Sequence, residues 1–159
     1  MTSSLSVWKK MPPERRLAAA EAFWNDEDQA AFRSEAIGLI AGRKNFRPKT
    51  VAALSAAQNA RTLAAITSMS EILASRLLVS YHLAHQRPMM GTFLDTLGIA
   101  HENGLITADQ PPVPAASELR AAAAQLAERY PREDVALYLS TLAAQDPETW
   151  GLLEELATF

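Results

Sequence analysis

The sequence contains no cysteine, which excludes disulfide bonds, thiolate metal sites and cysteine nucleophiles. Because nothing points to an oxidising compartment, we expect a cytoplasmic protein. Glycine occurs only six times, and no glycine-rich phosphate loop is present. The G-x-S-x-G and H-E-x-x-H motifs that carry nucleophilic and metal-dependent hydrolysis are also missing. These absences favour a non-enzymatic role.

Long apolar runs are scarce as well. The first sixteen residues, MTSSLSVWKKMPPERR, have no apolar core long enough for a signal peptide. Residues 63–87 form the one candidate membrane span, but Glu71 and Arg76 lie within it beside a polar stripe. Charged side chains are costly in hydrocarbon, so we expect no membrane-spanning helix.

Alanine is abundant, with 30 residues among 159, and it favours helix because it loses no side-chain entropy there. The sequence predicts an all-α protein, a compact bundle of about seven or eight short helices around a central buried helix at about 68–86. The length favours one domain over 1–159. A subdivision is the alternative, with a main unit over 1–98, a proline-rich connector over 99–116 and docked helices over 117–159.

The central helix is predicted from apolar residues at helical spacing, namely Leu63, Ile66, Met69, Leu73, Leu77, Tyr81 and Ala84. Ser68 and Glu71 match the S-x-x-E capping box, which predicts that the helix begins at Ser68. We expect a preceding helix from about Pro48 to Ile66, and a break near Ser55 is the alternative.

Other helix ends are predicted from capping residues. Asn25 is expected to begin the second helix and Gly42 to end it, because glycine adopts the left-handed conformation that terminates helices. Ser117 and Asp146 are expected to cap later helices. Asn103 and Gly104 predict a turn.

Charge is unevenly distributed although the net charge is only −3. Residues 1–87 hold twelve Lys and Arg against seven acidic residues, whereas residues 88–159 hold three against eleven. Such asymmetry is typical of a nucleic-acid or phospholipid face. The explanation that we favour is that the two halves pack against each other, or that a homodimer pairs opposite patches.

A basic segment is the first candidate site. Arg43, Lys44, Arg47 and Lys49 surround Phe46 in a predicted loop, which combines phosphate-neutralising charge with an aromatic ring for stacking. This pattern predicts nucleic-acid or anion binding. The isoelectric point of about 5.6 is unlike that of a dedicated nucleic-acid binder.

The three histidines form the second candidate site. His82 and His85 are three residues apart, so both rings can project from one side of a helix and share zinc or another divalent metal. A third ligand would come from His101, Asp95 or Glu102. Alternatively, the histidines complement the negative end of a helix. No other cofactor is expected.

The absence of a catalytic pattern makes a helical interaction protein the leading hypothesis, acting as a homodimer or as an adaptor for another protein. Met89, Met90 and Phe93 would supply an adaptable contact face if they were exposed. The competing interpretation places these three side chains in the core.

Overall fold

The computed structural model describes residues 2–157, and this part of the chain is mostly helical. The α-helices are α1 (Ser4–Lys10), α2 (Pro13–Asn25), α3 (Arg33–Lys44), α4 (Pro48–Ala53), α5 (Ala56–Ala64), α6 (Glu71–His85), α7 (Arg87–Thr96), α8 (Ala116–Arg129), α9 (Arg132–Gln145), α10 (Pro147–Trp150) and α11 (Leu153–Leu156). The remaining elements are a 3₁₀ helix (Glu27–Phe32) and two short strands, β1 (His101–Glu102) and β2 (Leu105–Ile106). The all-α prediction is confirmed.

There are more helices than the expected seven or eight, in part because the segment after Pro48 is interrupted. The hydroxyl of Ser55 accepts a hydrogen bond from the Gln58 N–H at 3.2 Å, and the Gln58 side chain accepts from the Ser55 N–H at 3.2 Å. This reciprocal capping box begins α5. The expected single helix from Pro48 to Ile66 is therefore wrong, because the chain breaks near Ser55 and also, as expected, between Ala64 and Glu71.

The helix predicted over 68–86 spans Glu71–His85, because Ser70 caps it and Ser68 does not. The Ser70 hydroxyl accepts from the Leu73 N–H at 3.1 Å. The carboxylate of Glu71 accepts from the Leu5 N–H at 3.3 Å, and Ser68 lies outside the helix. The prediction was wrong because the Glu71 side chain bonds to α1, which is distant in sequence.

Both predicted ends of the second helical segment are shifted. Asn25 is the last residue of α2, and Asp26 caps the 3₁₀ helix by accepting from the Asp28 N–H at 3.0 Å. Gly42 lies inside α3, and Asn45 ends this helix with a left-handed backbone at φ 56° and ψ 40°. Asparagine tolerates this conformation better than most residues, so it replaces the expected glycine.

The caps of the later helices are partly as predicted. Ser117 lies within α8, which begins where the Glu118 carboxylate accepts from the Ala115 N–H at 3.1 Å. Asp146 caps α10 as expected, accepting from the Thr149 N–H at 3.3 Å.

The chain forms two compact units. The N-terminal unit comprises residues 4–81, and the C-terminal unit comprises residues 82–157 with residues 2–3. Helix α6 contributes residues to both units. The single-domain organisation and its alternative remain predictions.

The N-terminal unit has a core built mainly where α2 packs against α5. Trp8 is fully buried, and its indole N–H donates to the Ile66 carbonyl at 2.9 Å. The other large, fully buried side chains of this unit are Phe23, Ile40, Leu63, Leu73, Leu77 and Leu78.

The C-terminal unit has a core of residues from α7 to α11. Met89, Met90 and Phe93 are buried in it, and Phe93 lies beside Tyr138 with ring centroids 5.6 Å apart. The competing interpretation of these side chains as core is correct. The proposed methionine contact face is therefore absent.

A β-hairpin follows α7 in the C-terminal unit. Asn103 and Gly104 have φ angles of 51° and 93°, so the predicted turn is present and requires residues that tolerate positive φ. Strands β1 and β2 pair antiparallel on either side of it. A Cβ atom at Gly104 would lie 2.9 Å from Cβ of Met90, which shows how closely the hairpin backbone approaches α7.

Within residues 2–157, none of the helices combines the length and the apolar character that crossing a bilayer requires.

Candidate functional site

The predicted basic segment is an exposed connection between α3 and α4. Every residue from 42 to 50 is exposed, and we call this range the basic loop. Arg43 and Lys44 lie in the last turn of α3, while Arg47 and Lys49 flank Pro48 at the start of α4. The structure thus places all four predicted cations on one short, solvent-facing segment.

The backbone of the basic loop is held at both ends. The N–H groups of Asn45 and Phe46 both bond to the Ala41 carbonyl, the second at 3.0 Å. Pro48 then fixes the first turn of α4, which leaves only residues 45–47 between the two helices. The loop is therefore a tight, internally bonded corner.

The four cationic side chains of the basic loop have no polar partner. In the part of the chain that the structure describes, Arg43, Lys44, Arg47 and Lys49 form no side-chain hydrogen bond or ion pair. Other arginines of the N-terminal unit do form side-chain hydrogen bonds. Arg33 donates to the Trp24 carbonyl at 2.8 Å, for example.

The helices beside the basic loop do not neutralise it. Helices α4 and α5 pack against α3, and neither contains Asp or Glu. No acidic residue occurs between Glu35 and Glu71, whereas Arg61 adds a further positive charge on α5. The stretch from residue 36 to residue 70 thus carries only positive charges, although the net charge of the chain is −3.

Phe46 lies among these cations with 44% of its surface exposed. Because the loop contains no carboxylate and no imidazole, it lacks a general acid or base that works near neutral pH. The arrangement can attract negative charge and offer an aromatic face. It is suited to binding and not to acid–base catalysis.

The histidines of the predicted metal site differ in their exposure to solvent. His82 is buried, and its ring lies beside Tyr138 with centroids 5.6 Å apart. His85, one turn later, is exposed.

Tyr138, the neighbour of His82, is also buried. Burial raises the pKa of its hydroxyl above the usual range, because the charged phenolate would be desolvated.

His101 uses both ring nitrogens within the C-terminal unit. Its Nε2 lies 2.7 Å from Oδ1 of Asp95, and its Nδ1 accepts from the Gly104 N–H at 3.0 Å. An accepting Nδ1 carries no hydrogen, so Nε2 carries the hydrogen and donates it to Asp95. The sequence suggested Asp95 or His101 as a third metal ligand beside His82 and His85, whereas the structure pairs Asp95 and His101 with each other.

Among residues 2–157, no group of three His, Cys, Asp or Glu side chains is arranged to hold a metal ion. The zinc hypothesis for His82, His85 and His101 therefore stays a prediction without structural support. Of the sequence-predicted candidates, the basic loop keeps its residues together and accessible.

Comparison with protein-family models, with curated proteins and with solved structures finds no match for this chain.

Proposed function

We propose that the protein binds nucleic acid through the basic loop. The observation that carries this proposal is the set of four exposed cations that have no acidic partner among residues 2–157. Unpaired cations are available to neutralise phosphates and release the counterions condensed on them, which is the main source of affinity for nucleic acid.

The acidic isoelectric point does not oppose this proposal. Exposed charges are screened beyond about 8 to 10 Å at physiological salt, so a bound phosphate responds mainly to nearby charges. Residues 36–70 contain five basic residues and no acidic one, and the carboxylate of Glu35 in the first turn of α3 is bonded to Ser70. Local charge, and not net charge, governs the basic loop.

The experiment is a titration of a labelled oligonucleotide at several salt concentrations. If four phosphates are neutralised, the logarithm of the association constant should fall with the logarithm of salt with a slope of about −3. The double variant Arg47→Glu and Lys49→Glu should lower the affinity by about ten-fold or more. Affinity that is independent of salt contradicts the proposal.

A matched control separates the loop from overall charge. Arg120→Glu with Arg129→Glu makes the same change in net charge on exposed positions of α8. This control should bind like the unchanged protein. An equal loss in both double variants would show that the loop has no special role.

Self-association is a second candidate function, favoured by the opposite charges of the two units. Residues 4–81 hold eleven basic and seven acidic residues, and residues 82–157 hold four and eleven. Opposite patches could pair between copies, as in the homodimer hypothesis. Sedimentation velocity should then show a dimer at low salt that dissociates at high salt, and a monomer under both conditions rejects this function.

The cytoplasm is the compartment that we propose, because a protein without cysteine is compatible with reducing conditions.

A further inference from the structure

Phe46 is held in a defined position at the centre of the basic loop. Its N–H is bonded to the Ala41 carbonyl, and Asn45 before it is fixed in the left-handed conformation. Arg47 after it is extended and precedes Pro48, whose ring restricts the backbone. The ring therefore projects from a backbone that needs little ordering when a ligand binds.

Exposure alone does not identify this ring as part of a binding site, since single exposed apolar side chains are common. Its surroundings distinguish it. Cations precede it at positions 43 and 44 and follow it at positions 47 and 49. All four are exposed, and none is paired with a side chain in the described part of the chain. The described part of residues 33–71 offers no other large exposed apolar side chain.

We infer that Phe46 is a stacking platform for an unpaired base, so that the ligand of the basic loop is single-stranded nucleic acid. This inference rests on the proposed function and narrows its ligand class. Stacking on an aromatic side chain favours binding of any base, because every base has an aromatic face. A flexible single strand can place one base on the ring while its neighbouring phosphates meet the flanking cations.

A duplex fits this site less well. Its bases are stacked on each other, so a side chain reaches a base face only by unstacking a step, which is energetically unfavourable. A duplex would use the four cations alone. The ratio of single-strand to duplex affinity therefore reports on Phe46.

An anionic membrane is the competing ligand for a basic loop with an exposed phenylalanine. Binding to a membrane interface scales with the buried apolar area, and one side chain supplies little of it. The residues around Phe46 in the basic loop are charged, polar or small. The observations therefore favour nucleic acid.

The test compares four probes by fluorescence anisotropy or co-sedimentation. They are an oligothymidylate of about 12 nucleotides, a duplex of the same length, polyglutamate, and vesicles containing phosphatidylserine. The unchanged protein should bind the oligothymidylate most tightly. Tighter binding to the vesicles or to polyglutamate overturns the inference.

Variants at Phe46 isolate the stacking contribution. Phe46→Ala should weaken oligothymidylate binding by about ten-fold while leaving duplex binding unchanged, and Phe46→Trp should restore it. Ile72→Ala removes another exposed apolar side chain of the same unit and should change neither affinity. Circular dichroism of each variant confirms that the helices are retained.

The failure of this inference differs from the failure of the proposed function. If both nucleic acids bind with a salt dependence but Phe46→Ala binds normally, the stacking platform is wrong and the phosphate-binding loop stands. If neither nucleic acid binds, both are wrong.

Discussion

The hydroxyl of Ser70 donates a hydrogen bond of 2.6 Å to Oε1 of Glu35, a residue 35 positions earlier in the chain. The second carboxylate oxygen of Glu35 accepts from the Ser70 N–H at 3.0 Å. Ser70 in turn caps α6 by accepting from the Leu73 N–H. The first turn of α3 thus fixes the start of α6, and this long-range contact decides where that helix begins.

The cap predicts that alanine substitutions at two nearby serines differ in their effect on the free energy of unfolding. Ser70→Ala should lower the free energy of unfolding by about 1 to 2 kcal/mol, because it removes both the N-cap acceptor of α6 and the hydroxyl that donates to Glu35. Ser68→Ala changes an exposed residue outside the helix and should have almost no effect. Urea denaturation measures both values, and equal losses would contradict the assignment of the cap.

Two glycines should respond to alanine in opposite directions. Gly38 lies within α3 with no atom near its virtual Cβ, so Gly38→Ala should stabilise the protein by about 0.5 to 1 kcal/mol. Gly104 combines a φ of 93° with a Cβ position 2.9 Å from Met90, so Gly104→Ala should destabilise it. Thermal unfolding of the two variants tests the prediction, and destabilisation by Gly38→Ala would contradict it.

The bonds of His101 predict its tautomer and its contribution to stability. Nitrogen chemical shifts should show a hydrogen on Nε2 and a lone pair on Nδ1. His101→Ala should lower the free energy of unfolding by about 1 to 2 kcal/mol, because two hydrogen bonds are lost. Glu102→Ala, at the exposed neighbouring position of β1, is the control. The opposite tautomer would show that Gly104 does not donate to the ring.

The buried hydroxyl of Tyr138 predicts a loss of stability at high pH. Burial raises the pKa of Tyr138 in the folded protein above the ordinary value of 10.0. Above about pH 10 the unfolded chain therefore releases a proton that the folded protein keeps, and the free energy of unfolding falls by at most about 1.4 kcal/mol per pH unit. Below that pH the group has no such effect.

Removal of the titrating hydroxyl tests this prediction. Tyr138→Phe should show a smaller decrease in the free energy of unfolding between about pH 9 and 11 than the unchanged protein. The same substitution at half-buried Tyr130 controls for the loss of a tyrosine hydroxyl. An identical pH dependence before and after Tyr138→Phe would contradict the assignment.

The helices were predictable because their signals are local. Alanine content and apolar spacing predicted the all-α class. The turn at Asn103 and Gly104 was predictable because these two residues themselves adopt its positive φ angles. The positions of helix ends were less predictable. The box expected at Ser68 failed because Glu71 bonds to Leu5 and Ser70 bonds to Glu35, and neither partner can be inferred from spacing.

The candidate site was likewise predictable from the sequence only in part. The sequence by itself placed Arg43, Lys44, Arg47 and Lys49 around Phe46, because residues within seven positions stay close in any fold. It could not show whether acidic side chains elsewhere in the chain pair with these cations. Likewise, the sequence brought Asp95 and His101 into one region, and only tertiary contacts decided that they bond to each other.

Local chemistry therefore determined the helical class and the composition of the basic loop, since both depend on neighbours along the chain. Tertiary structure decided where α6 begins and that Met89, Met90 and Phe93 are buried. It also decided that the cations of the basic loop are exposed and have no ion-pair partner within residues 2–157. The physical reason is that burial and ion pairing depend on which distant segments pack together, and the spacing of residues does not specify this.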